Sequence, residues 1–249
     1  MMNIAVCISS VPDTTSKIKF KDNNTQFDTQ DIQFVINPYD EFGLTKAMFI
    51  KESTGANVTV ITVGNDSVEP IMRKALAIGA DNAIRINTNP LDSYSTACEI
   101  AIYLKENPVD LIICGRESID YNGGAVPGML AELLDLPFIN ACIGLEILDD
   151  SATIIREIDG GKETISSKLP FVIGGQKGLV QESELKIPNM RGIMQARTKA
   201  LDVIDSSAKD DLIGSVDFKN PEEKKACTMI DSENVSALVN LLRNEAKVI

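Results

Sequence analysis

With 249 residues, 44% hydrophobic and 24% charged, the chain has the composition of a globular protein large enough for one sizeable α/β core plus an appendage, and its five scattered cysteines (Cys7, Cys98, Cys114, Cys142 and Cys227) lack paired or metal-type spacing. The absence of histidine excludes serine or cysteine chemistry with a histidine base and removes the commonest metal ligand, so no catalytic residue and no metal site is assigned. A formal net charge of -12 repels phosphate backbones and speaks against nucleic acid; the basic cluster Arg191, Arg197 and Lys199 reads as a solvated face or as a surface for an acidic partner.

Residues 3–8 predict a first buried strand, too short and without the basic flank of a signal peptide, and no apolar run approaches membrane-spanning length, so a cytoplasmic protein outside the membrane is expected. The strand ends in a loop, residues 9–14, rich in hydrogen-bonding groups, with Pro12 blocking its continuation. Residues 17–35 alternate weakly around Asn23-Asn24, as a small hairpin or an irregular excursion. Asn37, Pro38, Tyr39 and Asp40 then open a helix, with Asp40 placed to cap it, Leu44, Ala47 and Met48 at helical spacing, and Gly55 at its end. Residues 57–63 predict a strand ending at Val63, 68–78 a helix stopped by Gly79, 83–86 a short strand and 92–105 an amphipathic helix. Residues 111–114 are a further buried strand. Up to residue 140 the order is therefore βαβαβα, which implies a doubly wound, mostly parallel sheet with helices on both faces.

The stretch after the last of these strands carries the most chemistry. Gly115, Arg116, Glu117, Ser118, Ile119, Asp120, Tyr121, Asn122, Gly123, Gly124, Ala125 and Val126 lead into an apolar helical pattern through Met129, Leu130, Leu133 and Leu134. Gly123 and Gly124 lack a Cβ, so a phosphate could reach the first free N–H groups of the helix; a glycine pair is also what a turn after a strand needs in any case. Asp120 reads equally as a ligand contact or as a helix cap. In parallel sheets ligands lie beyond the carboxyl ends of strands, and the loops that leave strand ends here begin near Cys7, Asn37, Val63 and Gly115. Neither G-x-G-x-x-G nor G-x-x-x-x-G-K-[ST] occurs, so a mononucleotide held by several loops fits better than a dinucleotide fold or a P-loop.

After residue 140 the pattern changes to short strands separated by Asp149-Asp150 and Asp159-Gly160-Gly161, which predict an antiparallel meander, with one more apolar strand at 169–174. Residues 175–189 read as an exposed segment with few core residues, and 193–199 as a basic amphipathic turn or helix; Met190 and Met194 read as core gap-fillers in preference to an electron path. The division expected is an α/β domain over 1–205 and an arm over 206–249, the latter ending in a short helix through Val235, Leu238, Val239 and Leu242.

Cys7-Ile-Ser-Ser-Val-Pro-Asp13, Asn37-Pro-Tyr-Asp40, Ala75-Leu-Ala-Ile-Gly-Ala-Asp81, Gly115-Arg-Glu-Ser-Ile-Asp120, Arg156-Glu-Ile-Asp-Gly-Gly161 and Gly192-Ile-Met-Gln-Ala-Arg197 stand in the order and spacing of the electron transfer flavoprotein β subunits, which the chain resembles over roughly residues 2–205. The resemblance implies a Rossmann-like fold of the adenine-nucleotide α-hydrolase type and a heterodimer with an α subunit that holds most of one FAD. It also implies a structural AMP in this chain, and electron transfer from flavin dehydrogenases, such as acyl-CoA dehydrogenases, to a quinone oxidoreductase. Carried over by position, the AMP contacts fall on Cys7, on Asn37, Pro38, Tyr39 and Asp40, on Val63, and on every residue from Gly115 to Val126. Where many members carry polar side chains at the end of the last loop, this chain has Gly124-Ala125-Val126, which shifts phosphate binding towards backbone N–H groups; Thr14 replaces an aromatic that approaches the flavin in some members. The partner-docking segment corresponds to 179–188, where Leu179 and Leu185 are the candidate anchors or, equally, cover the core. Two other readings stay open: a bifurcating β subunit with a second FAD and NADH, and a flavin-free nucleotide-binding module.

Overall fold

The computed structural model describes residues 1–207, 211–222 and 226–249. Through residue 134, Val-, Ile- and Ala-rich runs alternate with helices. In chain order these are β1 (Asn3–Cys7), the short strands β2 (Ser10–Pro12), β3 (Phe20–Lys21), β4 (Gln26–Phe27) and β5 (Phe34–Ile36), α1 (Pro38–Thr54), β6 (Asn57–Val63), α2 (Glu69–Ile78), β7 (Asn82–Asn87), α3 (Ser93–Glu106), β8 (Leu111–Gly115) and α4 (Val126–Leu134). β8, β1, β6 and β7 pair in parallel, with Ile4 opposite both Val58 and Leu111 and Val60 opposite Ala83. Their side chains alternate between two cores. Ile4, Val6, Val58, Val60, Leu111 and Ile113 pack towards Leu44 and Met48 of α1 and Met72 and Leu76 of α2. Ala5, Cys7, Ile61, Ile112 and Cys114 pack towards Ala97 and Ile100 of α3 and Leu130 of α4. Burial on both faces explains why these strands read as continuous apolar runs, and the sheet is doubly wound as its sequence pattern implies.

Local chemistry sets the helix ends. Pro38 occupies the first turn of α1, where its missing N–H costs nothing, and Gly55 ends the helix at φ 72° with its N–H returned to the carbonyl of Lys51. The expectation that Asp40 caps α1 is corrected: Asn37 holds the cap position and Asp40, in the first turn, is buried. Asp92 does cap α3, accepting the N–H of Ser95 at 2.7 Å.

The sheet continues on both sides. The meander β9 (Phe138–Leu148), β10 (Ser151–Ile158) and β11 (Gly161–Lys168) is antiparallel, and β12 (Phe171–Gly175) inserts in parallel between β8 and β9. After α5 (Met190–Ala196), β13 (Leu201–Asp205) pairs in parallel with β7, giving one nine-stranded sheet in the order β11-β10-β9-β12-β8-β1-β6-β7-β13. β13 is not evident in the sequence because it is an edge strand with only Leu201 and Ile204 partly buried. The expectation of few core residues in 175–189 is corrected: Leu179 and Val180 are 5% and 6% exposed, because Gly175 leaves room for the Leu179 side chain, whose Cδ2 lies 2.8 Å from where a Cβ at 175 would stand.

Beyond Asp205, Ser206, Leu212 and Ile213 contact α3 and its cap, and Phe218 contacts the β3–β4 hairpin. The carboxylate of Asp92 accepts the N–H groups of Leu212 and Ile213 at 2.7 and 3.0 Å, and the Phe218 ring stacks on Phe20 with centroids 5.1 Å apart. α6 (Val235–Asn240) follows, leaving Val235, Leu238 and Val239 solvent-facing. Among the described residues no helix is long and apolar enough to cross a membrane.

Candidate nucleotide-binding site

Parallel pairing brings the carboxyl ends of β1, β6 and β8 to one edge, closed by Cys7, Val63 and Gly115. Two polar side chains from the start of α1 fasten the loops there. Asp40, 4% exposed, accepts the backbone N–H and the hydroxyl of Ser9, both at 2.8 Å, and the N–H of Gly115 at 2.9 Å. Burial raises its pKa to about 6 against the opposing hydrogen bonds from Ser9, Asn37 and Gly115. Asn37, 1% exposed, donates from Nδ2 to the carbonyl of Glu117 at 2.8 Å and accepts the N–H of Ile119 at 3.3 Å. Its own N–H goes to the carbonyl of Ser9 at 3.0 Å. Thr62, one residue before Val63, donates its hydroxyl to the carbonyl of Ile8 at 3.1 Å, which ties the end of β6 to the same cluster.

Cys7 and Val63 belong to the core under α3 and α4 and present their main chain to the strand ends. The thiol of Cys7 hydrogen-bonds that of Cys114; this contact, with burial, pushes the Cys114 thiol well above its ordinary range, so both behave as core groups. Pro38 is exposed and Tyr39 half-buried; burial, then the neighbouring Glu117 carboxylate, raise the Tyr39 phenol.

The loop between β8 and α4 is held by its own groups. Ser118 N–H donates to Gly123 O at 2.8 Å, and the Ser118 hydroxyl donates to the carboxylate of Asp120, which also accepts the N–H of Tyr121 at 2.9 Å. Asp120 thus serves the turn and does not cap α4. Tyr121 projects to solvent at 69% exposure, and Asn122 adopts φ 50°. At the start of α4, Ala125 stands at the cap position and supplies no side-chain bond to the helix N–H groups that precede Met129. The two glycines differ: a Cβ on Gly123 would meet nothing within 4 Å, whereas one on Gly124 would lie 3.2 Å from the carbonyl of Arg116. The open side of the loop is therefore at Gly123.

These residues gather backbone N–H groups at a helix start, an arrangement that suits an anion. Thr14 lines an adjoining cavity of about 250 Å³ with Asp13, Pro38 and Ile119, which leaves it beside that arrangement. A larger cavity of about 550 Å³ lies between α2 and α5, lined by Arg73, Ala77, Ile193 and Arg197 among others. Of the two anchor candidates, Leu179 is buried in the core and Leu185 is partly buried against it; Ile187 is 81% exposed, and Met190 and Met194, at 76% and 68%, face solvent and do not fill core gaps as the sequence suggests. Nothing in the sequence singles out Ser9 or Thr62. Ser9 falls in the hydroxyl-rich loop after β1, but only folding reveals that its partner is Asp40.

A family model described as the electron transfer flavoprotein domain matches residues 24–209. The chain is 34% identical to the electron transfer flavoprotein subunit beta of Bacillus subtilis (strain 168), over the whole of both chains. It is 32% identical to the electron transfer flavoprotein subunit beta of Syntrophomonas wolfei subsp. wolfei, covering 99% of this chain and 98% of that one. It is 33% identical to the mitochondrial electron transfer flavoprotein subunit beta of Oryza sativa subsp. japonica, again over both entire chains.

Proposed function

Because the chain belongs to the electron transfer flavoprotein family, on its β-subunit branch, we propose that it pairs with an FAD-bearing α subunit, holds AMP across its strand-end loops, and serves as the carrier that takes electrons from flavin dehydrogenases such as acyl-CoA dehydrogenases to a quinone oxidoreductase. The observation that carries the AMP assignment is the rigid joining of the Ser9, Asn37 and Gly115 loops through the buried Asp40 and Asn37, beside a helix start that no side chain caps. Such a cradle fits a phosphate-bearing nucleotide of modest size. Backbone N–H groups at the start of α4 face the phosphate, Gly123 leaves its approach open, and the Asn37 and Asp40 bonds hold the loops so that nothing needs to reorganise on binding. FAD, when bound in the complex, supplies the redox chemistry. The nucleotide then has a structural role, adding stability by its preference for the folded state.

The exposed apolar residues of the arm, Leu212, Ile213, Val216, Val235, Leu238 and Val239, suit a surface covered by the α subunit. Co-expression with a candidate α subunit tests the reading. The expected product is a yellow heterodimer whose flavin is reduced by a flavin dehydrogenase with its substrate and reoxidised by a quinone acceptor. A chain that purifies alone, colourless and monodisperse, would favour a flavin-free nucleotide-binding module; reduction of the flavin by NADH would favour the bifurcating type.

A further inference from the structure

Arg116 is the one basic residue in the strand-end loops 7–13, 37–40, 63–66 and 115–126 of a chain whose net charge is -12. A phosphate held there has Arg116 as its nearest source of positive charge in those loops. The guanidinium is fixed in direction: its Nη1 donates to Oε1 of Gln176 at 2.7 Å, while its backbone N–H donates to the carbonyl of Gly175 at 2.8 Å. Its Nε lies 3.8 Å from the carboxylate of Glu117, a long contact between partly exposed groups that a phosphate can outcompete.

Gln176 is 4% exposed and is itself anchored at every polar group. Its Nε2 donates to the carboxylate of Glu157 on β10 at 2.5 Å, its N–H donates to the carbonyl of Cys142 at 3.1 Å, and its carbonyl accepts the N–H of Leu179 at 3.0 Å. A buried amide satisfied in this way has one orientation available, so the acceptor it offers to Arg116 is fixed in space. The choice of an amide matters. A carboxylate at 176 would hold the guanidinium equally well but would cancel its charge and face Glu157; a neutral oxygen orients the cation and leaves its charge for a ligand.

We propose that Gln176 is a positioning residue that directs the Arg116 guanidinium to the phosphate of the bound nucleotide, and that this pair makes the site select a nucleoside monophosphate over the unphosphorylated nucleoside. The proposal rests on the reading that the site holds AMP. The Arg116 side chain is 43% exposed, which leaves donors beyond the one spent on Gln176.

The test is titration of the nucleotide-stripped α–β heterodimer with AMP and, separately, with adenosine, in the wild type and in Arg116→Gln, Gln176→Leu and Gln176→Glu. The expected result is an AMP affinity about 10- to 100-fold lower in Arg116→Gln and about tenfold lower in both Gln176 variants, with adenosine affinity within about twofold of wild type throughout. The Arg116 side chain is 43% exposed, so Arg116→Gln keeps the test meaningful even if a Gln176 variant folds poorly. Unchanged AMP affinity in Arg116→Gln, or equal losses for AMP and adenosine in the Gln176 variants, would overturn the proposal while leaving the AMP reading intact. A wild-type complex that binds neither AMP nor adenosine, or fills the site with FAD, would overturn both.

Discussion

The carboxylate of Asp40, in the first turn of α1, accepts the backbone N–H of Gly115 at the end of β8, a buried 2.9 Å bond between residues 75 apart in the chain. A Cβ on Gly115 would stand 2.2 Å from that carboxylate oxygen and 2.9 Å from the Cβ of Tyr39, so any larger residue must drive the helix start and the strand end apart. Gly115→Ala is expected to destabilise the protein by about 2–4 kcal/mol and to lower its AMP content, read by thermal unfolding and nucleotide extraction of the heterodimer. A variant within about 0.5 kcal/mol of wild type would show that the two elements separate freely.

Asp40 also gives the fold a pH dependence of defined sign. Burial raises its pKa to about 6, above the ordinary 3.8, so the folded chain holds this proton more tightly than the unfolded chain. The stability it contributes is complete below about pH 4 and is lost as pH rises towards about 6, by up to about 3 kcal/mol. Asp92 works in the opposite direction in a lower window: hydrogen bonds, first from the N–H of Ser95, hold its pKa to about 2, and its contribution disappears only as pH falls through that value. Asp40→Asn, less stable overall, should therefore show a flatter unfolding free energy between about pH 4 and 6 than wild type, measured by urea denaturation. Parallel profiles would contradict the assignment.

The two loop glycines separate phosphate access from loop packing. Gly123→Val adds its side chain into open space at the mouth of the site, whereas Gly124→Val presses on the carbonyl of Arg116. Gly123→Val should keep a melting temperature close to wild type and lose AMP; Gly124→Val should lower both. Full AMP occupancy in Gly123→Val would place the nucleotide elsewhere.

Segment 179–188 divides in the same way between core and surface. Leu179→Ala should cost about 2–4 kcal/mol of stability, since its side chain fills the space above Gly175. Ile187→Ala, at an 81% exposed position, should leave stability and cofactor content unchanged and slow flavin reduction by the partner dehydrogenase. Equal stability of the Leu179 variant, or an Ile187 variant with undiminished transfer, would count against this division.

How much of this was legible in the sequence follows from how local each signal is. β1, β6 and β8 are buried on both faces, so their continuous apolar runs and the polar loops after them directly mark the doubly wound sheet and the edge where its loops gather. Asp40 was legible as a helix-start residue, but its role was not: the Ser9 and Gly115 N–H groups that it accepts lie 31 and 75 residues away, and nothing local distinguishes an inward first-turn carboxylate from a cap. The two readings of Leu179, anchor or core cover, stay level in the sequence for a related reason: its polar neighbours Gln181, Glu182 and Ser183 read as exposed, while the space that receives it is created by Gly175 in the strand before. β13 was missed because edge strands need bury only one residue in two or three, and Asp202 and Asp205 erase the alternation.

The central claim, one AMP in this subunit and one FAD in the complex, is tested most directly by acid extraction of the purified heterodimer and quantification of its nucleotides. The account predicts about one AMP and one FAD for each heterodimer, with AMP lost selectively in Gly123→Val. Two FAD and no AMP, or no nucleotide at all, would contradict it.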